Sequence, residues 1–436
     1  MHVGSLQLFD LPDGADSTLI RETYEEMLTA VDVAPLFRRR PYRSLATLGQ
    51  WAWTEDDDID LEHHVRHSAL PAPGRVRELL ALTSRLHGSL LDRQRPLWEM
   101  HVIEGLEGNR FAVYTKMHHA LMDGVSGLRL LQRSLSTTAD ERTEAFWSPR
   151  PRSRRPHGGG AGLLGLPGMA VRGVTDLVRM TPIVARLANE ALREHQRLLP
   201  MQAPKSMLNV PITGARRFAA QSWSIDQIRA VGKASGTTIN DVVLAMCSGA
   251  LRAYLLELGA LPDAPLVAMT PVSLRREDDG EESGNAVGTI LCNLSTDVDN
   301  PGDRLAAIHE SMQLGKRLFS GLNQVQASAI SALMMGPLTL SMAPGGIAQL
   351  MPPPFNLIIS NVPGPRQPLY FNGARLTGVY PLSIPTMYQA LNITVTSYVD
   401  NMEFGLTGCR RSVPHLQRLL THVNDALSDL VKATGA

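Results

Sequence analysis

Extended runs alternate with helical periodicity along the first third of the chain. MHVGSLQLF is typical of a strand, and residues 18–30 and 75–91 carry the spacing of amphipathic helices. WEMHVIEGL and RFAVYTKMHHAL are two extended runs joined by a short EGN segment, which indicates a β-hairpin. The second run ends in a pair of histidines, and the next helix is expected to begin near Asp123.

The pattern changes after this helix. Residues 136–165 are rich in proline, glycine and charge and lack apolar periodicity, as is typical of a linker. Helical periodicity returns at about 163–198 and predicts a crossing helix. Because a chain of 436 residues is too long for one ordinary core, we predict an N-terminal domain at 1–135, a linker and crossing helix at 136–215, and a C-terminal domain at 216–436.

The last part of the chain mixes the same two kinds of element. SGTTINDVVLAMCSGALRAYL predicts a helix in which Thr238 is the N-cap and Asp241 its reciprocal partner. Strand-like runs follow at LVAMTPVSL, VGTILCNLS, FNLIISNVPG, ALNITVTSYV and MEFGLTGC. Both halves therefore mix helices and strands, and the predicted fold class is α/β of the α+β type.

Composition narrows the class of protein. Lys+Arg and Asp+Glu both total 42, so the formal net charge is zero and no overall positive field would attract nucleic acid. A polyanionic partner would have to bind to a local patch of positive charge. Cys247, Cys292 and Cys409 are far apart and odd in number, which predicts packed, reduced thiols in a cytoplasmic protein. We find neither a signal peptide nor an apolar run of about 18 residues, so secretion and membrane spanning are not indicated.

One stretch is unusually neutral. No charged side chain occurs in residues 318–365, and the prolines at 352–354 exclude a single spanning helix there. The stretch could be an ordinary core helix with strands. It could equally be the apolar wall of an acyl-chain channel, or a patch that meets lipid, with methionines as adaptable lining.

The segment MHHALMDGVSG, residues 117–127, concentrates the candidate chemistry. Neighbouring side chains of a strand point to opposite faces, so His118 and His119 do not readily share a metal ion, and no metal site is predicted. A neutral imidazole can instead remove a proton from an alcohol whose oxygen attacks a thioester. Asp123 would fix the loop by pairing with an arginine, and Gly124 would permit a tight turn. One histidine would then be catalytic and the other packed.

Other motifs have simpler interpretations. The pair His63 and His64 lacks a following Asp-Gly and is interpreted as structural. Trp98 is expected to fill the core, with Glu99 turned outward. SNVPGP is explained as a turn shaped by its Pro-Gly pair.

HHALMDG nevertheless matches the HHxxxDG signature of the coenzyme A-dependent acyltransferase superfamily, which includes chloramphenicol acetyltransferase-like enzymes and the condensation domains of peptide synthetases. Three further stretches resemble the bacterial wax ester synthase/diacylglycerol acyltransferase family more narrowly. They are RPLWEMHVIEGL, TINDVVLA, and ISNVPGP followed by PLSIPTMYQALNITVTSY. These matches lie in order and span nearly the whole chain.

This resemblance implies two chloramphenicol acetyltransferase-like domains with mixed sheets and an active-site tunnel between them. It implies that His119, in a catalytic motif with His118, is the general base and that Asp123 supports the loop. Asn240 would help to hold His119 or the developing oxyanion, which donors in a water-poor site stabilise. Further candidates for substrate binding are Gly124, Ser126 and Asn361.

The reaction implied is transfer of a long-chain acyl group from acyl-coenzyme A to a lipid alcohol, without an acylated enzyme and with no cofactor besides the acyl-coenzyme A substrate. Diacylglycerol would give triacylglycerol, and a long-chain alcohol would give a wax ester. Two alternatives stay open: a carrier-protein-dependent condensation or polyketide-associated acyltransferase, and a catalytically silent lipid-binding paralogue.

A lipid acceptor leads us to expect a cytoplasmic protein, peripheral on the inner membrane or on lipid inclusions. Arginines 150, 152, 154 and 155 could meet the phosphates of coenzyme A or an anionic membrane, although basic residues in such linkers are usually only solvated. Members of the family usually carry a segment ahead of the first strand, and the tunnel edge nearest the N-terminus is expected to depend on it.

Overall fold

The structure is a computed structural model that describes residues 2–44, 49–122, 124–149, 203–273, 287–319, 326, 330–331 and 352–436. The crossing helix at 163–198, the linker arginines and the methionine-rich part of the neutral stretch lie outside the described residues. The strands are β1 His2–Asp10, β2 Arg39–Tyr42, β3 Ala52–Glu55, β4 Val65–Ala69, β5 Trp98–Leu106, β6 Arg110–His118, β7 Arg216–Ser224, β8 Val267–Ser273, β9 Val287–Asn293, β10 Leu357–Val362, β11 Tyr370–Phe371, β12 Ala374–Leu382, β13 Leu391–Tyr398 and β14 Asn401–Cys409.

The helices are α1 Ser17–Thr29, α2 Leu61–His64, α3 Val76–Gly88, α4 Gly124–Arg133, α5 Ile225–Ser235, α6 Ile239–Glu257, α7 Pro301–Phe319 and α8 Arg418–Thr434, with a 3₁₀ helix at Pro35–Arg38. Each extended run named above forms a strand, and the two predicted N-terminal helices are α1 and α3. The helix expected near Asp123 is α4. Local hydrophobic periodicity therefore located these elements correctly.

The chain divides into two compact units. The first comprises Met1–Arg150, Val210–Arg229 and Asn361–Thr421, and the second comprises Pro151–Asn209, Ala230–Ser360 and His422–Ala436. The predicted domain boundaries at 135 and 215 stay a prediction.

A six-stranded sheet organises the first unit. Its order is β11-β12-β1-β6-β5-β4, in which β5 and β6 form the predicted hairpin and only β4 pairs in parallel, with β5. Strand β1 lies at the centre between β6 and β12, so His2 is opposite His118 and Leu6 is opposite Tyr380. The sheet thus joins the start of the chain to a strand more than 350 residues later.

The two faces of this sheet bury two separate clusters, because side chains alternate along each strand. Phe111, Val113 and Met117 of β6 belong to the cluster that contains α1 and α4 side chains. Ala112 and Tyr114 belong to the other cluster, together with Leu79 of α3. Strand β6, which ends at the first histidine of the pair, is therefore buried on both faces.

The first unit also contains an antiparallel ladder of β7, β14 and β13. In the second unit β8 pairs antiparallel with β9 and parallel with β10. Parallel and antiparallel pairs thus occur in both units, which confirms the predicted α/β class with mixed sheets. The three cysteines are buried free thiols, as expected.

The second unit is built around α6. Thr238 and Asp241 form the predicted capping box, in which the Asp241 N–H donates to Thr238 Oγ1 at 3.3 Å and the Thr238 N–H donates to Asp241 Oδ2 at 3.0 Å. His309 of α7 adds a bond from its Nδ1 to the same carboxylate at 2.7 Å. Among the described residues, α6 is the one helix long and apolar enough to cross a membrane, and its most apolar window is 67% buried inside the protein. That burial is typical of a core helix.

Replacement of Thr238 by alanine removes a side-chain acceptor from the first turn of α6. We expect the free energy of unfolding to fall by about 1–2 kcal/mol, the usual cost of losing an N-cap threonine. Urea unfolding of the Thr238→Ala variant measures this loss. The control is Ser428→Ala on the exposed side of α8, which should shift stability by less than about 0.5 kcal/mol; equal effects of the two changes would contradict a capping role.

Candidate active site

The histidine pair lies at the end of β6. The His118 N–H donates to Leu97 O at 2.9 Å, and His118 O accepts from the Leu121 N–H at 2.8 Å, so the strand turns sharply after this residue. The Ala120 N–H donates to His118 Nδ1 at 3.1 Å. His118 Nδ1 must therefore keep its lone pair, and the hydrogen of the neutral ring is on Nε2.

Electrostatics hold His118 in this neutral form. Burial, together with the charge of Arg93, lowers the pKa of His118 to about 4. The ring is therefore uncharged at neutral pH, and one of its nitrogens is occupied by the turn. His118 is placed to shape the loop.

His119 has a different environment. It is exposed, and it lies in the turn immediately after the strand. Asp123 lies outside the described residues. Gly124 begins α4, where an added Cβ would, among the described residues, approach Val3 alone, at 4.0 Å, and Ser126 in the first turn of the helix is half-buried. The loop thus presents His119, rather than His118, at the surface of the first unit.

A buried ion pair lies two residues before His118 on the same strand. Lys116 Nζ is 3.1 Å from Glu99 Oε2, and it also donates to Leu86 O at 3.1 Å and to Ser89 O at 3.2 Å. Side-chain exposure is 1% for Lys116 and 9% for Glu99. The ammonium group therefore ties β6 to β5 and to the C-terminal end of α3.

The expectation that Glu99 turns outward was wrong. Burial alone would raise the pKa of Glu99, but a hydrogen bond from His101 and the charge of Lys116 lower it to about 2. Burial lowers the pKa of Lys116, while Glu99 opposes that shift. The pair is ionised because each buried charge needs the other.

Trp98 fills the core as expected. It is fully buried, donates from Nε1 to Phe37 O at 2.9 Å, and stacks on Trp147 with ring centroids 5.2 Å apart. His64 also stacks on Trp98, with ring centroids 4.4 Å apart, and donates from Nδ1 to Trp98 O at 2.8 Å. The interpretation of the His63 and His64 pair as structural therefore agrees with the buried position of His64.

The ISNVPGP segment forms the end of β10 and the turn after it. An added Cβ at Gly364 would lie 1.9 Å from Ser397 O, so only glycine fits, and its N–H donates to Ser397 Oγ at 3.0 Å. Asn361 is half-buried within this segment in the first unit. The presence of glycine at position 364 is thus explained by packing, independently of any substrate.

Asn240 belongs to the second unit. It is half-buried in the first turn of α6, next to the capping residue Asp241. Within the part of the chain that the structure describes, no group of three or more His, Cys, Asp or Glu side chains could hold a metal ion.

Two family models match the chain in succession. Residues 1–243 match the wax ester synthase/diacylglycerol acyltransferase catalytic domain, and residues 283–431 match the C-terminal domain of the same family. The chain belongs to this family. It is therefore an acyl-coenzyme A-dependent O-acyltransferase, as the HHxxxDG resemblance implied.

Similar proteins are known from mycobacteria. A probable diacylglycerol O-acyltransferase of Mycobacterium tuberculosis H37Rv is 54% identical over 438 residues, which cover 100% of this chain and 95% of the relative. A putative diacylglycerol O-acyltransferase of Mycobacterium bovis has the same identity and coverage. The similarity of this acyltransferase to its relatives thus extends over nearly their whole length.

Solved structures confirm the expected fold. The wax ester synthase/diacylglycerol acyltransferase of Marinobacter aquaeolei VT8 is 42% identical, with a TM-score of 0.80 and coverage of 100% of this chain and 95% of that chain. The first condensation domain of the CDA synthetase has a TM-score of 0.59 at 15% identity, covering 99% of this chain and 90% of that domain. The acyltransferase therefore has the two-domain, chloramphenicol acetyltransferase-like fold.

Sequence reasoning missed Lys116 and His309. Lys116 precedes His118 by two residues, so the period of a strand could have placed both side chains on one face. The bond from His309 to Asp241 joins residues 68 positions apart, and no local pattern indicates it.

Replacement of Lys116 by methionine leaves the Glu99 carboxylate buried without its ammonium partner. We expect the free energy of unfolding to fall by about 3–5 kcal/mol, and the further change Glu99→Gln to restore part of it, because it removes a buried charge whose remaining cation, Arg66, lies 4.0 Å away. Urea unfolding tests both variants. Arg142→Met breaks the exposed pair with Glu26 and is expected to cost less than about 1 kcal/mol. A similar small loss for Lys116→Met would show that the buried pair is not needed.

Acid should weaken the contribution of Glu99 in a defined pH window. Its pKa in the folded state is about 2, below the ordinary value of 4.5. The carboxylate therefore stabilises the fold above pH 4.5, and this contribution, on the order of 3 kcal/mol, is lost as the pH falls towards 2. The difference in stability between wild type and Glu99→Gln should shrink over that window in urea unfolding at successive pH values. A difference that stays constant would disprove the shifted pKa.

Proposed function

We propose that this acyltransferase moves a long-chain acyl group from acyl-coenzyme A to the hydroxyl group of diacylglycerol, with His119 as the general base. Relatives 54% identical over the whole chain are named diacylglycerol O-acyltransferases, which supports this acceptor. The observation that carries the role of His119 is the contrast within the pair. His118 is half-buried, with Nδ1 bonded to the turn, whereas His119 is exposed.

The chemistry needs one imidazole that alternates between two protonation states. His119 takes the proton of the acceptor hydroxyl as its oxygen attacks the thioester carbonyl carbon. The tetrahedral intermediate then expels the coenzyme A thiolate, and the imidazolium returns the proton to sulfur. An ester bond forms, a thioester bond breaks, and no acylated enzyme or cofactor is required.

The other residues of the motif keep supporting roles in this proposal. Asp123 supports the loop, and Asn240 helps to hold His119 or stabilises the oxyanion, where one donor is worth roughly 3 kcal/mol. The residues proposed to line the substrate site are Gly124, Ser126 and Asn361. Gly124 and Ser126 are supported by their position in the first turn of α4, directly after the histidine loop.

A long-chain alcohol is a second candidate acceptor. It is favoured by the 42% identical enzyme of Marinobacter aquaeolei VT8, which is named for both wax ester synthase and diacylglycerol acyltransferase activity. The carrier-protein alternative is less well supported, because the condensation domains are only 12–16% identical over the chain and share the fold alone. Both proposed acceptors are lipids, so we place the protein in the cytoplasm, at the surface of the inner membrane or of lipid inclusions.

The test follows free thiol released from palmitoyl-coenzyme A, with diacylglycerol, hexadecanol or neither present. Release by the wild type should depend on an acceptor, and the better acceptor identifies the reaction. His119→Ala should lower the rate by about 10²–10⁴-fold, the usual contribution of a general base.

The matched control is His63→Ala, a histidine of the other pair, which should retain most of the activity. Full activity of folded His119→Ala would exclude the proposed base. Release from an acyl-carrier-protein donor but not from palmitoyl-coenzyme A would favour the carrier-dependent reaction.

A further inference from the structure

Two of the five tryptophans are exposed, one on strand β3 of a small β-ribbon and the other immediately before that strand. Trp98, Trp147 and Trp223 are at most 6% exposed, whereas Trp51 is 49% and Trp53 is 39% exposed. The ribbon is formed by β2 and β3, with Pro41 opposite Trp53. A large aromatic side chain gains stabilisation when it is buried and loses it when it is left in water. Two exposed tryptophans together on one edge therefore indicate a binding surface.

Arginines accompany these rings. The guanidinium carbon of Arg43 lies 4.2 Å from the centroid of the Trp51 ring, and that of Arg93 lies 5.3 Å from it. Leu90, in the same loop as Arg93, is 81% exposed. We call these five side chains, Trp51, Trp53, Leu90, Arg43 and Arg93, the ribbon patch.

The two cations of the ribbon patch are not neutralised by acidic neighbours. Arg38 and Arg40 pair with Asp57 and Asp56 at 3.4 and 3.9 Å, but over the described ranges neither Arg43 nor Arg93 forms an ion pair. The acidic residues of the ribbon therefore leave these two guanidinium groups to interact with an anionic surface. Arginine beside exposed tryptophan is the combination that suits the headgroup region of an anionic bilayer.

The loop that carries Leu90 and Arg93 is held beside the histidine pair. At its start Ser89 O accepts from Lys116 Nζ at 3.2 Å, and at its end Leu97 O accepts from the His118 N–H at 2.9 Å. Both anchors are on β6 and lie within two residues of each other. Arg93 is also close enough to His118 for its charge to lower the pKa of that ring.

We propose that the ribbon patch docks the acyltransferase on an anionic phospholipid surface. Trp51, Trp53 and Leu90 enter the headgroup region, and Arg43 and Arg93 meet the lipid phosphates. This inference rests on the proposed function, because an acceptor dissolved in a lipid phase has to be reached at the surface of that phase. A soluble phosphate ligand would use the two guanidinium groups but would leave Trp53 and Leu90 in water, so lipid fits the whole patch better.

The experiment measures sedimentation of the full-length protein with vesicles, in the absence of coenzyme A. Vesicles of pure phosphatidylcholine are compared with vesicles that also contain phosphatidylglycerol. Arg43→Gln/Arg93→Gln should lower binding to the anionic vesicles by about 30-fold and leave binding to neutral vesicles nearly unchanged, since each basic residue near such a surface contributes about fivefold. Trp51→Ser/Trp53→Ser should lower binding to both by about tenfold or more, because apolar burial does not depend on headgroup charge.

Matched controls remove the same groups elsewhere on the surface. Arg21→Gln/Arg77→Gln deletes two exposed charges of α1 and α3, and Leu256→Ser removes a side chain that is 52% exposed on α6. Both should bind vesicles like the wild type. Wild-type binding by either ribbon double variant, or no vesicle binding by the wild type, would overturn the proposal.

A second readout separates docking from the reaction. Thiol release is measured with diacylglycerol in detergent micelles, where docking on a bilayer is not required. A rise in KM for palmitoyl-coenzyme A in Arg43→Gln/Arg93→Gln, with vesicle binding unchanged, would assign the arginines to coenzyme A and overturn lipid docking. Vesicle binding that depends on the ribbon patch, in a wild type that releases no thiol, would support docking while the proposed function fails.

Discussion

The buried ammonium of Lys116 is the constraint on which the candidate site depends. A cation that is 1% exposed has to be surrounded by acceptors, because an uncompensated buried charge costs several kcal/mol. Its acceptors come from two elements: the carboxylate of Glu99 on β5 and the carbonyl oxygens of Leu86 and Ser89 at the end of α3. These elements must therefore meet at one point of β6, two residues before His118. The end of β6, where the histidine pair lies, is therefore held in a fixed position.

The same strand explains why two adjacent histidines differ. His118 is the last residue of β6, so its backbone completes the sheet and its ring receives the N–H of the turn. His119 is the first residue beyond the strand and is not part of the sheet. A residue that bonds the turn through its ring cannot also alternate between protonation states without disturbing that turn. The division between a shaping histidine and a reacting one thus follows from where the strand ends.

The parts of the fold that depend on local pattern could be predicted from the sequence. The hairpin follows from two apolar runs around a short turn, and the capping box follows from a threonine three residues before an aspartate. The pairing of β1 with β12 could not be predicted, because Leu6 and Tyr380 are opposite each other without any nearby signal. Glu99 was misplaced for a related reason: its buried position depends on Lys116 from another strand. The motif identified the candidate histidines, but their different environments came only from the structure.

Attachment of one loop to β6 connects catalysis to the surface of the first unit. Lys116 and His118 hold the two ends of the segment that carries Leu90 and Arg93, so the same bonds that position the histidine pair also position part of the ribbon patch. A patch on an unanchored loop would lose conformational entropy when it docked, whereas this one is ordered beforehand. Docking through the ribbon patch would therefore bring the histidine end of β6 to the lipid in a defined orientation. The buried ion pair, which makes no contact with lipid itself, would then determine how the acceptor approaches the base.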